Sequence, residues 1–358
     1  LAGNNPCNFR LPCVKLVLRS PMRYTFRVRL AGLLLIGILV QACSRRDEDD
    51  NRRVEIPDFN FPQSVVFKDS LSAYGLFEGA PHLMQAADDF TLLELSSALF
   101  TDYAKKQRLV KIPAGTSIQK MADNTLIFPN GSILSKTFYY PMDAQDTSLG
   151  NQLIETRLLI KENDLWNAAT YVWNSEQTEA TLELNGLTTT ISWINDEGDS
   201  RIIQYEVPDQ NLCMTCHQSD NRMTPLGPSL LNLNRTVERN GLTINQIAHL
   251  QGLDILADFN FQSLASMVDY QNVNASLEQR GRAYLAMNCA HCHNPRAWDT
   301  PAERDFDFRH QTSLNSSGIV SGKDKIQGQL LEGEMPFIGT TITDQEGLDL
   351  MMDYLNSL

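Results

Sequence analysis

Two short cysteine motifs constrain this chain more than any other feature. CMTCH (213–217) and CAHCH (289–293) both read C-x-x-C-H. That pattern is the attachment signature of c-type haem, in which two thiols add to the porphyrin vinyls and the adjacent imidazole binds iron. Two intervening residues let one turn of chain set both sulfurs along one porphyrin edge, and the next side chain then projects toward the metal. A structural zinc held by two C-x-x-C pairs is one rival, but 72 residues separate the pairs and zinc does not explain a histidine directly after each. A thioredoxin-type dithiol is the other; it calls for one motif on a βαβ unit, not two on helical segments. The motifs predict two covalently bound haem c groups on Cys213, Cys216, Cys289 and Cys292. His217 and His293 are then the proximal iron ligands.

The amino end reads as an address. Residues 30–40, LAGLLLIGILV, are too short to span about 30 Å of hydrocarbon. With Arg23, Arg27 and Arg29 before them they suit a secretory signal over 1–42. Residues 1–21, upstream of Met22, read as an over-extended start. VQACS (40–44) looks like a bacterial lipobox, which makes Cys43 the lipidated first residue of the mature chain, and Ser44 suits sorting to the outer membrane. Residues 43–70 form a lipid-anchored tether and extended linker that begins with the charged run SRRDEDDNRR. Every cysteine of the mature chain then has a covalent partner. After Cys43 and the residues before it are set aside, the chain holds 24 basic and 43 acidic residues, a net charge of −19. Phosphate repels such a surface, so no nucleic acid is expected as partner.

Between these ends the pattern divides. LLELSSALFTDYAKKQ (92–107) has the periodicity of an amphipathic helix. Alternating runs at 108–112, 132–141, 153–160, 168–173, 180–184, 188–193 and 201–207 read as strands, and Asn185-Gly186 marks a tight hairpin. The expected fold class is α+β multidomain: a β-sandwich-like domain over 71–207, a first haem unit over 208–275 and a second over 276–358, both mainly α. Trp166, Tyr171, Trp173 and Trp193 are expected to pack rather than bind.

Residues 276–358 resemble a class I cytochrome c domain. In such domains a glycine, here Gly281, lets the first helix (276–288) cross closely over the last, and an aromatic, here Tyr354, presses against it. Tyr284 lies three residues after the glycine. The last helix is expected over 343–358, with Thr343 and Glu346 as a capping box. Met335, in GEMPFIG and 42 residues after His293, is the expected sixth ligand of haem 2. His291 is expected near a propionate or solvent. The first unit is less complete. TPLGPSL (224–230) resembles the loop that wraps the proximal face, but no long helix precedes Cys213 and no Met-Pro follows. Met267 leads the candidates for its sixth ligand, ahead of His249 and Met223, with an open iron as the other choice.

LSAYGLF (71–77), FPNGSILSKTFYYP (128–141), YVWNSEQTEA (171–180) and RGRAYLAMNCAHCHNP (280–295) are similar to an uncharacterised family of diheme c-type cytochromes with a β-rich amino domain. The resemblance implies two covalent haems and export. The expected function is single-electron transfer between a redox protein donor and acceptor, at the periplasmic face of the outer membrane or the cell surface. A haem enzyme with an open site at haem 1, and a carbohydrate-binding β-domain marked by exposed tryptophan, are the alternatives. Lys105 and Lys106 read as solvated surface.

Overall fold

The alternating runs form strands, and register then decides which side chains share a face. In the computed structural model, residues 64–297, 305–336 and 338–358 are described. The expected signal segment, Cys43 and the expected tether up to residue 63 lie outside them. Among the described residues no helix is long and apolar enough to cross a membrane. Six antiparallel strands make the main sheet: β1 (Thr91–Leu92), β2 (Lys105–Lys111), β5 (Ile133–Pro141), β6 (Asn151–Glu162), β7 (Leu165–Trp173) and β8 (Ala180–Glu183), adjacent in that order. A two-residue pair, β3 (Gln119–Lys120) with β4 (Leu126–Ile127), stands apart from it. Asn163 and Asp164, both with positive φ, close the β6–β7 turn, the geometry that matches strand twist.

The amino-terminal segment covers one face of the sheet. Leu71, Leu76 and Phe90 pack there with Leu109, Leu158, Tyr171 and Trp173. On the opposite face, the hairpin β9 (Leu187–Ile194) and β10 (Ser200–Val207) sets Ile191, Trp193 and Tyr205 on Phe138 and Tyr140. Further along that face, Val110 and Leu134 meet Leu230, Leu233, Ile247 and Leu250. Trp173 and Trp193 are buried, and Trp166 packs edge-on to Phe128 with ring centroids 5.4 Å apart.

The expected fold class is overturned. Among the described residues the strands outside the six-stranded sheet form only two-stranded pairs, β9–β10 among them, so two full layers of a sandwich are not formed. The two regions expected as haem units are not mainly α. The first holds the short helices α1 (Gln210–His217), α2 (Leu230–Leu233) and α3 (Gln246–Gly252). Between them run two hairpins, β11 (Gln218–Ser219) with β12 (Arg222–Met223) and β13 (Thr236–Arg239) with β14 (Leu242–Asn245). Asn240 and Gly241, both at positive φ, make the second of these turns. Pro225, Pro228 and left-handed Gly227 keep the intervening loop from helix. In the second unit the helices among the described residues are α4 (Leu277–Asn288), α5 (Lys323–Leu331) and α6 (Gln345–Asn356), with a 3-10 turn at Leu314–Ser316.

Three local expectations also change. Residues 93–104 form no helix, because their polar groups bond to distant parts of the chain. Ser96 N–H donates to the Asn232 carbonyl (3.0 Å) and Ser97 Oγ to that of Val268 (2.7 Å). Asn185-Gly186 does not close a hairpin, since β8 pairs with β7 and β9 with β10. Gly186 is instead required where the chain passes Val207 and Asp209: a Cβ there would lie 2.8 Å from backbone atoms of both. The cap of α6 is Asp344, whose carboxylate accepts from Gly347 N–H (3.0 Å).

Candidate haem sites

The first motif lies wholly on α1. Asp209 caps that helix by accepting from Leu212 N–H at 2.8 Å. Cys213, Cys216 and His217 stand at i, i+3 and i+4, so they share one face. The following turn brings the Thr224 carbonyl 2.8 Å from His217 Nδ1. A carbonyl can only accept, so this contact puts the imidazole proton on Nδ1 and leaves the Nε2 lone pair for a metal. Burial, followed by the charge of Lys136, pushes His217 down to about 4, which keeps the ring neutral.

His217 and Cys213 open onto a narrow cleft of about 60 Å³ between α1 and the sheet. Pro225, Leu226 and Pro228 form one wall. The sheet forms the other, through Leu134, Leu159 and Ala168 and through Arg108, Lys136 and Arg157. Arg108 pairs in register with Lys136, and Lys136 with Arg157, so three cations lie side by side on this face. Arg157 binds buried Glu155 through Nε (2.8 Å) and Nη2 (2.5 Å), and the Tyr205 hydroxyl donates to the same carboxylate at 2.7 Å. Burial, then the charges of Arg157 and Arg108, pushes Lys136 down to about 7; burial pushes Arg108 down to about 10. Lys106, expected on the surface, is half-buried and donates to the Leu99 carbonyl at 2.8 Å.

The second motif follows α4, which begins at a capping box between Ser276 and Gln279. Gly281 sits where the helices cross, as expected, since a Cβ there would overlap the Tyr354 ring. The contact is reciprocal, because a Cβ on Gly347 of α6 would overlap the Tyr284 ring, whose hydroxyl donates to Asp344 at 3.1 Å. Two Gly–Tyr notches thus lock the crossing of α4 and α6; the second was not expected. His293 lies against Phe308 and Phe306, with ring centroids 5.2 and 6.0 Å away. Burial pushes it down to about 4, and its Nδ1 is a buried polar atom with no hydrogen-bond partner among the described residues. Met335 is half-buried just after α5, where its N–H donates to the Gln329 carbonyl at 3.2 Å.

The fold brings the two motifs together. Hydrogen bonds from the Cys292 and then the His291 side chain hold the Cys216 thiol well below its ordinary pKa. Burial pushes Cys289 up to about 12. Asp220 N–H donates to the Arg296 carbonyl at 2.9 Å, and the two side chains form an ion pair at 3.7 Å. The segment 93–104 grips the second unit as well. Phe100 N–H donates to Asn288 Oδ1 (2.7 Å), and the buried Asp102 carboxylate accepts from Thr341 N–H (2.9 Å) and Thr341 Oγ1 (2.8 Å).

The sixth-ligand candidates of the first unit are not brought to its cleft. Met267 is buried in the core cluster that holds Tyr270 and Tyr284. His249 is half-buried on α3, and Met223 packs with Met214 and Ala168. No family model, curated protein or solved structure matches the chain. Among the described residues no group of three or more His, Cys, Asp and Glu side chains is arranged to hold a bare metal ion. The first site fits a covalent porphyrin on its own residues: two thiols, a neutral imidazole with Nε2 free, a largely apolar cleft and excess positive charge. The second supplies the same thiols and an imidazole packed against the stacked pair Phe306 and Phe308.

Proposed function

We propose that this chain is an exported, lipid-anchored diheme c-type cytochrome that carries single electrons between redox protein partners. The observation that supports the reading best is the meeting of the two C-x-x-C-H segments, where the Cys216 side chain contacts those of Cys292 and His291. Cys213 and Cys216 would hold one haem and Cys289 and Cys292 the other, with His217 and His293 on the two irons. The haem supplies reversible one-electron chemistry at iron, and the protein supplies ligands, burial and orientation. Thr224 fixes the His217 tautomer, and Phe306 and Phe308 shield His293. Contact between the attachment segments is the arrangement that shortens a path from one cofactor to the other. Cys43 would carry the lipid that holds the chain at the outer membrane.

The test is a pyridine haemochrome assay with intact mass, on full-length protein made in a host that matures c-type cytochromes. Two porphyrins per chain are expected, and one in the Cys213→Ser, Cys216→Ser double variant. Colourless protein that retains zinc would overturn the reading.

A second reading, a haem enzyme with peroxidase-like or small-oxyanion chemistry, is favoured by one observation. Among the described residues lining the cleft before His217, none is a methionine or a second histidine. Carbon monoxide or cyanide binding at one per chain would support it; no binding would leave electron transfer alone.

A further inference from the structure

Among the described residues, two members of the cation row have no acidic side chain paired with them. Arg108, Lys136 and Arg157 occupy consecutive cross-strand positions on β2, β5 and β6. Like charges placed directly opposite destabilise a sheet, and burial raises the cost. Glu155 is committed to Arg157 and to Tyr205. The row continues through Thr170 to Glu183, whose carboxylate accepts from Asn185 N–H at 2.8 Å. Among the described residues, neither Arg108 nor Lys136 forms a salt bridge or a side-chain hydrogen bond. Both line the cleft that Cys213 and His217 share. The wall of that cleft therefore carries two unbalanced positive charges.

We propose that Arg108 and Lys136 bind the two propionate carboxylates of the haem attached at Cys213 and Cys216, so that the β-sheet is a wall of that haem site. The proposal rests on the haem reading above. Its direction follows from the strand order. Helix α1 packs on β7, where Gln210 Nε2 donates to the Ala168 carbonyl at 3.2 Å. At about 4.8 Å per strand, β5 and β2 lie about 10 and 14 Å from β7 across the sheet. A porphyrin held through both thioethers carries its carboxylates on the opposite edge, which displaces them from α1 toward those two strands. The charge also matches, with two carboxylates for two unpaired cations. Arg108 offers a planar fork and Lys136 a point charge, and both suit charge-assisted bonds to carboxylate.

The test is spectroelectrochemistry on the full-length, haem-loaded protein, with intact mass to count attached haems, for Arg108→Gln and Lys136→Gln. Each variant removes a half-buried cation and introduces no charge. Both haems are expected to stay attached. Loss of a cation stabilises the oxidised iron, so one of the two midpoint potentials should fall and the other stay fixed, with a larger fall in the double variant. Arg108→Lys and Lys136→Arg should restore the parent value. Unshifted potentials in both glutamine variants would overturn the proposal while leaving two haems in place. So would loss of the low-spin spectrum of one haem in Lys136→Gln, which would put the lysine on iron. A parent chain without porphyrin would instead defeat the underlying haem reading.

Discussion

The two C-x-x-C-H sites share five letters of pattern and little of their construction. The second is built from its own stretch of chain: α4 leads into CAHCH, α6 crosses α4 through two Gly–Tyr notches, and the stacked pair Phe306 and Phe308 packs against His293. The first borrows its surroundings. Only α1 and the 224–228 loop are local, while the opposite wall of its cleft comes from β2, β5, β6 and β7. The difference teaches that the β-rich region is not an appendage beside two self-contained motif-bearing units. It forms part of the floor on which the first motif sits, and it reaches the second unit through Asp102 and Phe100.

The largest expected effect lies in that floor. Glu155→Ala leaves Arg157 as a third unpaired cation beside Lys136 and strands the Tyr205 hydroxyl. Removing one partner of a buried ion pair costs about 3–5 kcal/mol, which urea unfolding followed by circular dichroism would measure. A loss below about 1 kcal/mol would mean that the sheet wall is wetter than its register implies. Next comes the tie between the regions. Asp102→Ala deprives Thr341 N–H and Oγ1 of their acceptor, and hydrogen bonds to a charged group of this kind are worth about 1.5–3 kcal/mol. Asp102→Asn should recover part of the loss. An unchanged urea midpoint in the alanine variant would show that the regions are held together by other contacts.

Gly281→Ala addresses the second site alone. The added methyl meets the Tyr354 ring, and overpacking of this kind costs about 1–3 kcal/mol. Combining it with Tyr354→Leu should return part of the stability. If the double variant is no better than the single one, the notch is not what sets the crossing of α4 and α6.

This contrast also explains what was legible beforehand. Gly281, Tyr284, CAHCH and Tyr354 lie in one stretch, and a glycine on its first helix with an aromatic on its last allowed the crossing of α4 and α6 to be anticipated. Gly347 completes the reciprocal notch, yet one glycine early in a helix carries little signal by itself. The cation row was invisible because each member, taken singly, reads as an outward-facing strand residue. Only the pairing of β2 with β5 and β5 with β6 sets them together. Segment 92–107 has helical periodicity, but Ser96 and Ser97 gain distant partners that a local helix would deny them. Asn240-Gly241 between TVER and LTIN is a hairpin signal in plain sight, and it alone argues against a mainly helical first unit.

The smallest expected effect is a pH dependence in the second site. Burial raises the pKa of Asp344 above the ordinary carboxylate value, outweighing the Gly347 amide and the Tyr284 hydroxyl that favour its charged form. A group whose folded-state pKa is raised contributes stability that is present below its unfolded value and lost as pH rises through the folded one. Asp344 should therefore weaken the fold slightly between acid and neutral pH. Asparagine caps a helix as well as aspartate and does not ionise, so Asp344→Asn should gain on the parent as pH rises from about 3 to about 7 and match it at the acid end. Urea midpoints of both proteins across that range decide the point: a gap that widens toward acid would mean that the carboxylate is stabilised, not strained, where α6 begins.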